Sequence, residues 1–155
     1  MSFPILSVTL FAPLAGALLL LLVPRKHVRV IRWGSVALAA LVLGLTVVIW
    51  VGVARYAPSP GGRAGLPGAG GAMHFRERYA WIPDFNVMYS LGVDGLSAPM
   101  AFLTGLLTTL VLFYSSYTVR EREKEYYFCF LLLETGMLGV FFALDLVLFY
   151  VFWEI

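Results

Sequence analysis

The sequence predicts an all-α, polytopic transmembrane protein with four full spans and the start of a fifth. Three observations predict it. Of the 155 residues, 61% are hydrophobic and 13% charged, against about 25% charged in an ordinary soluble domain. The apolar residues fall into unbroken runs of the roughly 20 residues that a helix needs to cross a bilayer. The runs lack the alternation of barrel strands, and in lipid only helices and closed barrels satisfy the backbone. A water-soluble core at this length cannot hide so much apolar surface.

The first span is expected from Phe3 to Val23, ended by Pro24 and the basic cluster Arg25, Lys26, His27, Arg29 and Arg32. No Lys or Arg precedes Val23, so the run lacks the basic n-region of a cleaved signal and reads as a retained span. The second runs from Trp33 to Val53, closed by Arg55; the third from Leu96 to Val119, entered through Asp94 and Gly95 and closed by Arg120. The fourth runs from Tyr126 to Leu144. Asp145 marks a tight turn, and a fifth apolar segment begins at Leu146. A natural end at Ile155 would leave helix carbonyls and a free carboxylate in hydrocarbon. The expectation is therefore a truncated sequence whose natural form continues into more spans.

This divides the chain into 1–53, with the first two spans; 54–93, a hydrophilic loop; and 94–155, with the third, fourth and incomplete fifth. Within the loop, Pro58 to Gly71 is rich in Gly and Pro and reads as flexible. The later part, around Tyr79, Trp81 and Tyr89, is aromatic and apolar, as at a membrane interface. The first loop carries Arg25, Lys26, Arg29 and Arg32, and the third carries Arg120, Arg122 and Lys124. The second spreads Arg55, Arg63, Arg76 and Arg78 over a far longer stretch. That density places loops one and three inside and the N-terminus outside, in the periplasm of a bacterial inner membrane.

Other classes are excluded by composition. Cys129 is the one cysteine, and His27 and His74 lie far apart, so neither an internal disulfide nor metal or haem ligation within the chain is expected. No long basic block with interleaved aromatics points to nucleic acid. Asp94 and Asp145 read as turn and cap residues, Gly136 and Gly139 as sites of close helix packing, and Arg120 to Glu125 as a solvated loop or helix end.

Two acids stand out. Glu134 interrupts the fourth run, and Glu154 the fifth; an ionisable group at the bilayer centre costs at least about 2.5–3.5 kcal/mol. Glu134 lies eleven residues before Asp145 and Glu154 nine after it. At about 1.5 Å per residue, both sit roughly 13–17 Å below one surface in an antiparallel pair, although spacing does not say whether they face each other. Burial penalises the charged form of an acid and a nearby cation restores it, which is the balance a proton relay requires. Glu154, read as surrounded by aromatic burial, is the main relay candidate. Glu134 is either an accessory relay or a neutral acid hydrogen-bonded to a neighbouring helix. Phe149, Phe152 and Trp153 read as packing residues.

The stretch from Leu131 to Glu154 (LLLETGMLGVFFALDLVLFYVFWE), with Trp81-Ile-Pro and the run from Leu91 to Ser97 upstream, resembles the chain M family of bacterial NADH-quinone oxidoreductase, the mitochondrial subunit four type. The Phe-Trp-Glu context fits chain M better than the related chains L and N. The resemblance implies an antiporter-like fold with inverted repeats and a proton-translocating membrane subunit of respiratory complex I. It implies that Glu154 matches the family's essential fifth-helix glutamate, which pairs with a lysine on a later helix and couples quinone reduction to proton movement. That lysine, a central lysine and the broken helices are not in this sequence. The resemblance further implies no redox centre or cofactor in this chain, with NADH, flavin, iron–sulfur clusters and quinone bound by other subunits, and the other membrane subunits and the bilayer as partners. A subunit of a multi-subunit cation/proton antiporter and a structural membrane anchor are the rival readings.

Overall fold

The structure is a computed structural model and describes residues 4–56, 74–83 and 87–155. The expected flexible loop from Pro58 to Gly71 lies outside the described residues. Four long helices form: α1 (Ile5–Leu22), α2 (Val28–Tyr56), α3 (Ser97–Thr118) and α4 (Glu123–Phe142), followed by the short α5 (Leu146–Trp153). Each of the four is long and apolar enough to cross a membrane. They alternate in direction and pack as a bundle in which α1 and α3 each lie against both α2 and α4, while α5 folds back onto α4. The outer faces are apolar, with Leu18, Leu22, Leu41, Leu107 and Leu133 among the exposed side chains. The chain is a multi-pass membrane protein.

Two boundaries differ from expectation. α2 begins at Val28 rather than Trp33 and α4 at Glu123 rather than Tyr126. Of the charges taken as flanks, Arg29 and Arg32 therefore lie inside α2, and Glu123, Lys124 and Glu125 inside α4. They are tolerated because they lie in the first turns, where side chains reach the membrane surface, and because Arg32 and Glu123 neutralise each other.

The all-helical expectation also missed a small sheet. His74–Ile82 (β1) and Val87–Val93 (β2) form an antiparallel pair with Tyr79 opposite Tyr89 and Glu77 opposite Leu91. The pair is irregular on both sides of that register, between His74 and Glu77 and between Ala80 and Ile82. β2 is inserted at one end of the bundle. The Leu144 N–H donates to the Ser90 carbonyl at 2.9 Å, and Leu91 and Val93 are fully buried. Gly92 permits this approach, since a Cβ there would stand 2.7 Å from Leu144 Cδ1.

The interior divides into two apolar clusters. One lies toward the hairpin and contains Leu6, Leu10, Val42, Ile49, Leu138 and Phe142. The other lies toward the α1–α2 and α3–α4 loops and contains Ala17, Leu20, Ile31, Ala39, Leu112 and Leu131. Gly139 joins α5 to this core: a Cβ at that position would lie 2.1 Å from Phe152 Cγ, so only glycine lets the Phe152 ring pack there. This is the packing role expected of Gly139.

Candidate functional site

Tyr127, Leu131, Glu134, Leu138 and Phe142 recur every three or four residues along α4 and form its buried stripe. Leu131 belongs to one apolar cluster and Leu138 to the other. Glu134 therefore lies at their junction, near the middle of the bundle. Its side chain is 0% exposed, and neither carboxylate oxygen has a hydrogen-bond partner among the described residues. A charged carboxylate left so would carry the full cost of its desolvation; taking up a proton removes the charge. Of the two readings of Glu134, the neutral acid hydrogen-bonded to a neighbouring helix finds no such bond among the described residues.

A second buried polar atom lies on the same stripe. The Tyr127 hydroxyl also lacks a partner among the described residues, although the tyrosine is fully buried. Sequence reasoning missed it, because a tyrosine near a helix start reads as an interfacial residue. The available signal was its seven-residue separation from Glu134, which places both on one face.

Glu154 is placed differently from expectation. It is exposed, as are its neighbours Tyr150 and Trp153, so aromatic burial does not surround it. The reason is the phase of α5. Leu148 and Phe152 turn inward, and two further residues along an α-helix lead to the opposite side. The Glu154 N–H makes a helical bond to the Tyr150 carbonyl at 3.1 Å, while its carboxylate has no partner among the described residues. The shared depth of the two acids does hold. A Cβ on Gly136 would meet the Phe152 carbonyl oxygen at 3.2 Å and the Ile155 side chain at 3.3 Å, so the end of α5 lies level with the Glu134 region of α4. The acids are thus at one level on adjacent helices but do not face each other: Glu134 points into the bundle and Glu154 away from it.

Both aspartates act as the sequence suggests. Asp145 Oδ1 accepts from the Val147 and Leu148 N–H groups at 2.9 and 3.3 Å, starting α5. Asp94 Oδ1 accepts from Ser97 and Leu96 at 2.7 and 3.0 Å, and the Asp94 N–H donates to Ser97 Oγ at 3.0 Å. The backbone bond from Ser97, with the further bonds from Leu96 and the Ser97 hydroxyl, holds the Asp94 carboxyl below the usual carboxylate range against its partial burial. Glu77 is a cap that the sequence did not reveal. α1 has no side-chain cap of its own. Instead Glu77, on β1, accepts from the Leu6 N–H at 2.8 Å and from the Ser7 N–H and hydroxyl.

At the opposite end, the expected solvated loop is partly buried. Arg32 Nη2 and Nε both donate to Glu123 at 2.5 Å, and Arg32 Nη1 donates to the Ser116 carbonyl at 3.2 Å. The two ion-paired side chains are 16% and 10% exposed. Lys124 Nζ donates to the Leu21 and Val23 carbonyls at 2.8 and 2.9 Å. These contacts bring the α1–α2 and α3–α4 loops to one end of the bundle, as four complete crossings require.

No family model matches the chain. Among curated proteins, it is 36% identical over its whole length to NAD(P)H-quinone oxidoreductase chain 4 of Synechococcus sp. (strain JA-3-3Ab). It is 34% identical over 99% of its length to a chain 4 of Synechocystis sp. and 32% identical, again over 99%, to one of Thermosynechococcus vestitus. The chain spans about a quarter of the length of these relatives: 27, 25 and 26% respectively. Over its whole length, the chain is homologous to chain 4 of the NAD(P)H-quinone oxidoreductases.

Proposed function

We propose that the chain contributes to proton translocation, as part of a membrane subunit of an NADH:quinone oxidoreductase that couples quinone reduction to proton movement. The observation that carries this reading is the fully buried Glu134 carboxyl, unpartnered at the junction of two apolar clusters. An acid kept where hydrocarbon penalises its charge is of use when it exchanges a proton. Glu154, level with it on α5 and turned outward, is the main relay group, as the resemblance implies, presented to whatever packs on that face, with Glu134 the accessory. The electron chemistry belongs to other subunits, which would bind NADH, flavin, iron–sulfur clusters and quinone. The subunit lies in the bacterial inner membrane with the hairpin end, and so the N-terminus, in the periplasm.

The test uses the full-length subunit assembled in its complex within membrane vesicles. Glu154→Gln and Glu134→Gln keep shape and much hydrogen-bonding capacity but remove the acid. Glu154→Gln is expected to leave the complex built and to abolish or uncouple NADH-driven proton uptake, with Glu154→Asp milder. Glu134→Gln is expected to slow pumping without preventing assembly. Wild-type pumping in both variants would overturn the relay reading and favour a structural anchor.

A further inference from the structure

The basic end of the bundle carries seven Lys and Arg residues against three glutamates, from Arg25 to Arg32 and from Arg120 to Glu125. Several of these charges are already engaged. Arg32 holds Glu123, Arg25 holds Glu125 at 2.6 Å, and Lys124 is bonded to backbone carbonyls. Arg29 and Arg120 form no hydrogen bond or ion pair with a carboxylate among the described residues, although Arg120 acts on Glu123 through space. Both line one cleft of about 380 Å³ between the start of α2 and the end of α3. The cleft's other walls include Trp33 and Tyr117, which are 48% and 58% exposed. Trp33 also packs edge-on against Phe113, with ring centroids 6.3 Å apart, and Phe113 against Tyr117 at 5.5 Å. Two guanidinium groups with no bonded carboxylate therefore lie where the apolar faces begin, with an aromatic wall one turn deeper. A neighbouring cleft of about 400 Å³, which Arg120 also lines, contains Glu123 and Glu125 and is closer to self-neutralised.

We propose that the Arg29–Arg120 cleft binds the phosphate of an anionic phospholipid, with the acyl chains running along the outer faces of α2 and α3 past Trp33 and Phe113. Each part of the site has a matching part of the ligand. Guanidinium groups suit phosphate oxygens, which they can meet with paired N–H donors. Exposed Trp and Tyr favour the headgroup level. Basic pockets between transmembrane helices suit anionic headgroups. Two guanidinium groups with no carboxylate bonded to either favour a lipid with net negative charge over a zwitterionic one, whose own cation would lie beside them. A free phosphate ion would use the guanidinium groups but not the aromatic wall or the apolar grooves below it.

The experiment uses the full-length subunit in its complex, reconstituted into phosphatidylcholine nanodiscs with a trace of phosphatidylglycerol. Phosphatidylglycerol retained through detergent extraction is measured by mass spectrometry. Arg29→Gln with Arg120→Gln is compared with the charge-matched control Lys26→Gln with Arg122→Gln. The cleft variant is expected to lose phosphatidylglycerol by about fivefold for each cation removed, and the control to retain it. Equal loss in both pairs, or loss in neither, overturns the site. Displacement of the lipid by millimolar inorganic phosphate overturns the lipid as the ligand. A second measurement covers a cleft variant that fails to assemble. In the otherwise unaltered protein, fluorescence quenching attributable to Trp33, isolated by comparison with Trp33→Phe, is expected to be stronger from brominated phosphatidylglycerol than from brominated phosphatidylcholine. Equal quenching rejects the proposal.

Discussion

At the hairpin end, three carboxylates sit on three helix N-termini: Glu77 on α1, Asp94 on α3 and Asp145 on α5. At the basic end, two cations sit on two C-termini, with Lys124 on the last carbonyls of α1 and Arg32 on the Ser116 carbonyl of α3. Because the odd-numbered helices run parallel, their dipoles add in one direction, and acids at one end and bases at the other both match it. The ends differ in how the charges are held. The acids are bound to N–H groups and, at Glu77, to the Ser7 hydroxyl, whereas Arg32 is also locked to an opposite charge. Removal of a partner at the basic end therefore strands a charge, while removal at the hairpin end leaves only neutral donors without their acceptor.

The comparison is most sharply tested at Arg32. Arg32→Gln leaves Glu123 part-buried without its bonded cation and is expected to cost about 2 kcal/mol, below the roughly 3–5 kcal/mol for breaking a fully buried pair. Arg32→Met with Glu123→Met should recover most of it. Thermal unfolding of the full-length subunit in detergent reads both. Should Arg32→Gln unfold no earlier than Lys26→Gln, the two ends do not differ in this way.

A smaller effect is expected at Glu77. Glu77→Gln keeps an acceptor but removes the charge from the start of α1, for a loss of about 1 kcal/mol. Hydrogen exchange should speed up at the Leu6 and Ser7 amides while those of α3 stay unchanged. Unaltered exchange at Leu6 would mean that the hairpin is not what caps α1.

Asp94 gives the smallest effect and a pH signature. Its folded value is depressed, chiefly by the Ser97 backbone bond. Its stabilising contribution is therefore present above the ordinary carboxylate value, about 3.9, and is lost as pH falls through the lowered folded value. The stability gap between wild type and Asp94→Ala should be constant near neutrality and close only in that acid window. A gap that closes between pH 5 and 7 would show that another group is responsible.

The helices were legible because each is a continuous apolar run that needs no distant partner to be recognised. Glu134 was legible for the same reason, as an acid inside such a run. The direction in which Glu154 points was not, since α5 is apolar all round and its buried face is set by the fit of Phe152 against Gly139. The hairpin was hidden for another reason. β1 does not alternate cleanly between buried and exposed positions, and β2 is buried at five of its seven residues, so neither shows the period-two pattern of a half-solvated strand. The Arg32–Glu123 pair and the Glu77 cap join residues 91 and 71 apart, a separation at which local pattern gives no guidance.

That last separation has a consequence for biosynthesis. α1 is made before the other described helices, yet it carries no cap of its own, and the carboxylate that completes its N-terminus follows 71 residues later. Its last carbonyls wait longer, for a lysine 101 to 103 residues downstream. At about 5–20 residues per second, α1 spends roughly 4–14 s of translation before Glu77 exists. During that interval its leading amides are served by interfacial water or by the insertion machinery. The earliest of the described helices thus has both ends closed only once Lys124 is made, and a nascent chain arrested before β1 holds α1 in the membrane without its fastening.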